Sequence, residues 1–243
     1  MDLRGRVALV TGAGHRVGRA IAVALGGRGM RVAIHYNAAS AAAQETQREI
    51  RAAGGDGYIV AADLTNAEAP RELVGAVVAK FGALDVLVNS AAVMVRTPFG
   101  ETTPEQWNAI MALNHRAPFF LAQAAAPHLR AARGVIVNIA DLAAFETWPA
   151  YLPHGISKAG VVYLTRALAR VLAPEVRVAG VAPGTVLLPD NWDSGAADHL
   201  RQTTPLERHG TPADVTSTVL FILDSDYLTG ETIIVDGGRH VRN

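Results

Sequence analysis

Hydrophobic positions along this chain come in short continuous blocks separated by longer stretches in which they recur every three or four residues. The blocks at 6–10, 31–36, 58–62, 84–88, 134–139, 176–181 and 232–235 are dense in Val, Ile and Leu and predict buried strands. Between them, 20–25, 38–53, 68–81, 104–130, 154–172 and 212–223 carry helical spacing, several of them closed by glycine or proline. Strand and helix alternate with short connections. That order predicts an α/β fold, a doubly wound parallel sheet with helices on both faces and a single domain over 1–243.

Two stretches depart from this regularity. The helical region 104–130 contains Pro118 and Pro127, which predict a bend or break. From 183 to 210 prolines, glycines and Asp190, Asn191 and Trp192 interrupt any period, so a long mobile segment of the kind that serves as a lid is expected there.

In a doubly wound sheet, ligands sit beyond the carboxyl ends of the strands, at the point where strand order reverses. The residues at those ends are small or polar where a buried strand would otherwise stay apolar: Gly12 to Gly18, His35 to Asn37, Asp63, Asn89 to Ala92, Asp141, and Pro183-Gly184. The first of these, Thr11-Gly12-Ala13-Gly14-His15-Arg16-Val17-Gly18, joins a strand to a helix. It therefore offers backbone N–H groups and a positive helix end to an anion, with a nucleotide's phosphates the expected guest. Its spacing is Gly-x-Gly-x-x-x-Gly, one residue longer than the commonest dinucleotide fingerprint.

Composition narrows the partners. With 243 residues, 50% of them hydrophobic, the chain can bury a large core. A net charge of +0 gives no long-range attraction to nucleic acid or an anionic membrane, so a small-molecule substrate is expected. There is no cysteine, which removes disulfides, thiolate metal sites and thiol nucleophiles, and no metal site is expected. No window holds the roughly 18 apolar residues of a membrane span and no signal-like stretch precedes the first strand, which makes a cytoplasmic location the expectation. Of the 22 basic residues, Lys80 and Lys158 are the only lysines. In a chain that otherwise uses arginine, a lysine at 158 points to a task for a compact ammonium.

Over nearly its whole length the chain resembles the short-chain dehydrogenase/reductases. Thr11-Gly12 through Gly18, Asp63-Leu64, Asn89-Ser90-Ala91, Asn114, Lys158, Pro183-Gly184 and Asp236-Gly237-Gly238 stand in that family's order and spacing. Arg16 and Asp141, with His35-Tyr36 and the tail Gly237-Gly238-Arg239-His240, are similar to its pteridine reductase and dihydromonapterin reductase branch. The resemblance implies a Rossmann-like fold, an NAD(P)H-dependent oxidoreductase acting on a carbonyl or imine, a homotetramer, and a set of site residues. Gly12, Gly14, His15, Arg16, Val17, Gly18, His35, Tyr36, Asn37, Asp63, Leu64, Asn89, Ala91, Lys158, Pro183 and Gly184 would hold the cofactor. Asn114, Asp141, His154 and Lys158 would perform the chemistry, Lys158 holding the nicotinamide ribose and Asn114 opening its helix for a water.

Departures from the family pattern carry information of their own. His154 occupies the place of the family's tyrosine acid, four residues before Lys158, and Tyr151 is the nearest tyrosine. A histidine is shorter than tyrosine, and an adjacent ammonium favours its neutral ring, so Asp141 is needed as a counter-charge. Asp141 itself, at the end of an apolar strand, calls for a cation such as Arg16. Val93 stands where the branch has a stacking aromatic and Ala91 where it has serine, leaving Trp148 or Trp192 as other aromatic faces. No acid lies between His35 and Ser40 to hold a ribose 2′-hydroxyl, whereas His15, Arg16, His35, Asn37 and Ser40 could face a 2′-phosphate, so NADP(H) is favoured over NAD(H) even though Ala38 replaces the branch's arginine. A ketoacyl or alcohol reductase and a cofactor-binding protein without efficient catalysis are the alternative readings.

Overall fold

The computed structural model describes residues 1–188 and 194–241; Asp190, Asn191 and Trp192, named above for the mobile segment and as an aromatic face, lie outside them. Seven parallel strands stand in the order β3-β2-β1-β4-β5-β6-β7. They are β1 (Val7–Val10), β2 (Arg31–Tyr36), β3 (Asp56–Ala61), β4 (Val86–Asn89), β5 (Val135–Ile139), β6 (Arg177–Pro183) and β7 (Thr232–Val235). Order reverses between β1 and β4, whose backbones pair from Ala8–Val86 to Val10–Val88 and then diverge. A crevice opens there.

The helices are α1 (Arg16–Gly27), α2 (Ser40–Ala52), α3 (Ala69–Phe81), α4 (Pro104–Met111), α5 (Ala117–Ala132), α6 (Leu152–Leu172), α7 (Ser194–Gln202) and α8 (Pro212–Asp224). Alternation along β1 shows how two cores arise from one strand. Ala8 and Val10 face Ile21, Leu25, Val219 and Ile222 from α1 and α8, while Val7 and Leu9 face Leu73, Val77, Leu121 and Leu129 from α3 and α5. Both faces are covered, so the strand reads as one unbroken apolar run. Among the described residues no helix is long and apolar enough to cross a membrane.

The interruption expected in 104–130 is present at Pro118 and absent at Pro127, and it takes the form of a π-turn, Ala112–Arg116, between α4 and α5. Pro118 has no N–H to offer the carbonyl of Asn114, four residues back, and the wide turn takes the place of that missing bond. Pro127 is carried inside α5 without ending it, because Gln123 and Pro127 both lie on the exposed side, where water can take the freed carbonyl. Within the segment expected to be irregular, residues 194–202 form α7, a turn-rich composition having hidden a helix whose Leu200 is buried.

The turn between β1 and α1 is held from beneath by His35. Its Nδ1 accepts the Gly12 N–H (3.1 Å), its backbone carbonyl accepts the Ala13 N–H (2.9 Å), and its Nε2 faces the Ala62 carbonyl (3.0 Å). Since Nδ1 is the acceptor, Nε2 carries the proton that Ala62 receives. Burial lowers the pKa of this ring, with the Ala62 contact opposing in part. Gly12 adopts φ +66, and a Cβ there would lie 2.9 Å from Ala91 Cα; a Cβ on Gly18 would be driven into the Gly12 carbonyl oxygen. At Gly14 the nearest atom is 3.6 Å from such a Cβ.

These contacts predict that Gly18→Ala costs about 1–3 kcal/mol in urea unfolding, whereas Gly14→Ala changes stability by less than about 1 kcal/mol. Equal effects would deny the turn its close approach. His35 predicts a pH effect of definite sign. The folded ring stays neutral below the ordinary histidine pKa of about 6.5, so its contribution is present above that pH and is lost as pH falls towards the lowered folded value, with a slope of at most about 1.4 kcal/mol per pH unit. Urea melts between pH 7.5 and 5 should show His35→Asn losing part of the wild-type slope; part remains because burial also lowers His115.

Candidate functional site

The anion-facing end of α1 has no side-chain cap. His15 is the N-cap in an extended conformation and its side chain makes no capping bond, while Arg16 begins the helix at φ +51. The first-turn donors of α1 therefore lie open to a ligand. Gly14 and Gly18 are buried in the turn, Val17 is half-buried against the β1/α1 core, and His15 and Arg16 are exposed. Arg16 does not pair with Asp141 as the sequence suggested; its Nη2 donates to the Leu187 carbonyl (3.0 Å), which ties the turn to the segment after β6.

Beside the turn a cavity of about 180 Å³ is lined by Gly12, His35, Asn37, Ala62, Asp63, Leu64, Thr65, Ala91, Ala92 and Leu113. Asn37 is exposed at its mouth and Leu64 is buried in its wall. Asp63 Oδ1 accepts the Thr65 hydroxyl (2.7 Å) and N–H (2.9 Å), and these bonds hold its carboxyl below the usual carboxylate range. His35 is 3% exposed with both ring nitrogens committed, so it forms wall and does not face a 2′-phosphate as expected. Tyr36 likewise packs its ring against the core.

At the carboxyl ends of β4 and β5 a second set of polar groups is buried. Asn89 Nδ2 donates to Asn138 Oδ1 (2.8 Å), and Asn138 Nδ2 donates to the Thr165 hydroxyl (3.0 Å) on α6. Asn89 Oδ1 is buried without a partner among the described residues. Lys158, also on α6 and 4% exposed, donates to the Ile139 carbonyl (2.8 Å). Burial lowers its pKa, and the charge of Asp141 opposes that shift. An ammonium held this way has two further protons to offer.

His154, one turn before Lys158 on α6, is 2% exposed. Its Nδ1 lies 3.2 Å from the Val93 carbonyl and its Nε2 3.5 Å from Asp141 Oδ2. The second contact is an ion-pair approach, too long for a hydrogen bond, and Nε2 is otherwise without a partner among the described residues. Asp141 Oδ1 caps the short 3-10 turn Leu142–Ala144 by accepting the Ala143 N–H (2.8 Å). Asn114, buried in the π-turn, pairs with Val93 at two points, Oδ1 taking its N–H (2.8 Å) and Nδ2 giving to its carbonyl (2.9 Å). Its remaining amide hydrogen goes to Ser157 Oγ (3.1 Å), which in turn donates to the His154 carbonyl (2.7 Å).

Thus Asn114, Asp141, His154 and Lys158 converge, and Gly12, Ala91, Asn89 and the first turn of α1 line the adjoining crevice. Pro183 ends β6, and Gly184 follows it with its N–H on the Val235 carbonyl (2.9 Å). Tyr151 precedes α6, with its ring 6.4 Å from that of Trp148. Three residues play parts that the sequence did not reveal. Thr11 Oγ1 accepts the N–H groups of Ser90 (2.9 Å) and Ala91 (3.0 Å); Val93 acts through its backbone, which no side-chain pattern reveals; Ser157 stands three residues after His154, a helical neighbour that spacing could have flagged. A larger cavity of about 520 Å³ lies between 204–210 and the tail 236–240 and contains none of these groups. Among the described residues no cluster of His, Asp or Glu is placed to hold a metal ion.

The glycines a Cβ would clash with, the uncapped helix end and the buried ammonium together fit a dinucleotide lying across the crevice. Comparison with known proteins agrees on the fold and family. Residues 12–240 match the family model described as enoyl-(acyl carrier protein) reductase. The chain is 38% identical to a protein assigned as ketoacyl reductase 2 of the granaticin polyketide synthase of Streptomyces violaceoruber, covering 97% of this chain and 96% of that one. It is 36% identical to a 3-oxoacyl-[acyl-carrier-protein] reductase of Synechocystis, covering 97% of each. A solved, doubly substituted short-chain dehydrogenase/reductase of Serratia marcescens superposes with a TM-score of 0.93 at 31% identity, over 99% of this chain and 100% of that one. With the match running from the glycine turn to the tail, the chain belongs to the short-chain dehydrogenase/reductase family of oxidoreductases.

Proposed function

We propose that the protein is an NADP(H)-dependent reductase of a small carbonyl compound, with the His154–Asp141 pair supplying the proton and Lys158 holding the nicotinamide ribose. The observation that carries this reading is the burial of Lys158 and His154 against Asp141 at the carboxyl edge of β5, a costly arrangement for packing alone. When bound, the cofactor supplies the hydride. The chain's own part is to orient and to move a proton: Lys158 offers two N–H donors to ribose hydroxyls, and the pair of Asp141 and His154 stabilises the oxygen on which charge develops.

NADP(H) is favoured because no acid stands between His35 and Ser40, while Asn37 and His15 are exposed beside the glycine turn and free to meet a 2′-phosphate. The pterin reading rests on Arg16 and Asp141. Arg16 reaches Leu187, and position 93 contributes its backbone to Asn114 and His154, with no ring to stack on a pterin. A ketone or β-ketoacyl substrate accords better with these contacts. Self-association, expected as a homotetramer, is supported by Phe119, Phe120, Ile156 and Tyr163, left exposed on α5 and α6.

Calorimetric titration should give NADPH at least about tenfold tighter binding than NADH, a difference of about 1.4 kcal/mol; the reverse order overturns the cofactor preference. Lys158→Met should weaken NADPH binding by about tenfold or more, and Lys158→Arg should fail to restore it, because the guanidinium is too bulky for the buried position. Turnover of a β-ketoester or of a dihydropterin, followed as NADPH oxidation, then assigns the substrate class. Turnover unchanged in His154→Ala would remove the histidine from the reaction.

A further inference from the structure

Within that reading the order of the proton path is open, and hydrogen-bond accounting around Val93 decides it. Asn114 spends one amide hydrogen on the Val93 carbonyl and the other on Ser157 Oγ, and Ser157 spends its own on the His154 carbonyl. Nothing remains to donate to His154 Nδ1, whose 3.4 Å approach to Asn114 Nδ2 is then only a contact. Nδ1 must be the donor, to the second lone pair of the Val93 carbonyl at 3.2 Å. The ring's other nitrogen, Nε2, is turned towards Asp141 Oδ2 at 3.5 Å, and two acceptors face one another there unless the carboxyl carries a proton.

The side chains of this pair differ in exposure. That of His154 is 3% accessible and that of Asp141 26%. A substrate entering the crevice can touch the carboxyl, whereas the imidazole is screened behind it.

We infer that Asp141 is the catalytic acid that meets the substrate oxygen, and that His154 is a positioning residue behind it, locked by Val93 and Asn114 into the tautomer whose Nε2 turns its lone pair towards the protonated carboxyl. The inference rests on the reductase reading above. In the step, a bound reduced nicotinamide held by Lys158 would supply the hydride to the carbonyl carbon, and the π pair of the C=O bond would move to oxygen. That oxygen forms its O–H bond with the proton carried by the Asp141 carboxyl. The carboxylate and a neutral ring bearing hydrogen on Nδ1 are left, and solvent restores the proton through the exposed face of Asp141. The unusual residue at 154 is thereby relieved of reaching the substrate. A short imidazole suffices because the carboxyl spans the remaining distance.

Two variants and one spectrum test this. Asp141→Ser keeps an oxygen for the Ala143 N–H while removing the acid. It should lower kcat for a β-ketoester by about 100-fold or more, with NADPH affinity and thermal midpoint near wild type. His154→Gln should lower kcat by about tenfold and leave KM unchanged, the loss expected of a residue acting through another. The opposite ranking, His154→Gln the deeper loss and Asp141→Ser mild, overturns the assignment. Nitrogen-15 NMR of histidine-labelled protein, with His154→Gln identifying the resonance, should show hydrogen on Nδ1 in the cofactor-free enzyme, and that signal should move to Nε2 or exchange between both nitrogens in Asn114→Ala. A ring protonated at Nε2 alone in the parent refutes the inference. Because the spectrum needs no turnover, failure of the parent on both the β-ketoester and the dihydropterin would count against the reductase reading without deciding the tautomer.

Discussion

At the point where the sheet reverses, two parallel strands end side by side and their chains leave in opposite directions, so backbone groups that would have continued the ladder are left facing each other. One side chain closes most of that account. Thr11 Oγ1 donates to the Val88 carbonyl (3.3 Å) and accepts from the N–H groups of Ser90 and Ala91. Ala91 Cα is then fixed where a Cβ on Gly12 would strike it, and Gly18 can close on Gly12 from the helix side. The crevice and the uncapped start of α1 follow from this clamp and from His35 beneath it.

Polar burial is the second constraint, and it is costly unless every group is paired. Two chains of hydrogen bonds run from the switch crevice to α6: Asn89 to Asn138 to Thr165, and Val93 to Asn114 to Ser157 to the His154 carbonyl. Both are closed except at particular atoms, Asn89 Oδ1 at the end of β4 and His154 Nε2 facing Asp141 after β5. Unpaired buried groups in this position suit a site that takes a ligand or a proton, while Thr97, His115 and Thr232 keep unpaired buried atoms elsewhere among the described residues. Lys158 fits the same pattern, its single carbonyl partner leaving donors to spare. The π-turn is the device that makes the second chain of bonds possible, because it turns Asn114 inward at the place where Pro118 has withdrawn a donor.

The alternation of apolar blocks determined the seven strands, their parallel arrangement with helices on both faces, and the glycine turn, because burial on both faces of a sheet leaves a continuous apolar signal that needs no partner to be read. Lys158 stood out for a similar local reason, as one of two lysines among 22 basic residues. Helix α7 was hidden because its short length and turn-forming neighbours carry little period. What only the tertiary structure decided were the partners: that His35 supports the glycine turn and faces no phosphate, that Arg16 reaches Leu187 and leaves Asp141 to His154, and that Val93 works through its carbonyl. These depend on atoms brought together from strands far apart in sequence, and a backbone carbonyl or a ring nitrogen has no signature in the order of residues. Sequence can name a histidine, but which of its nitrogens carries the proton is set by the neighbours the fold supplies.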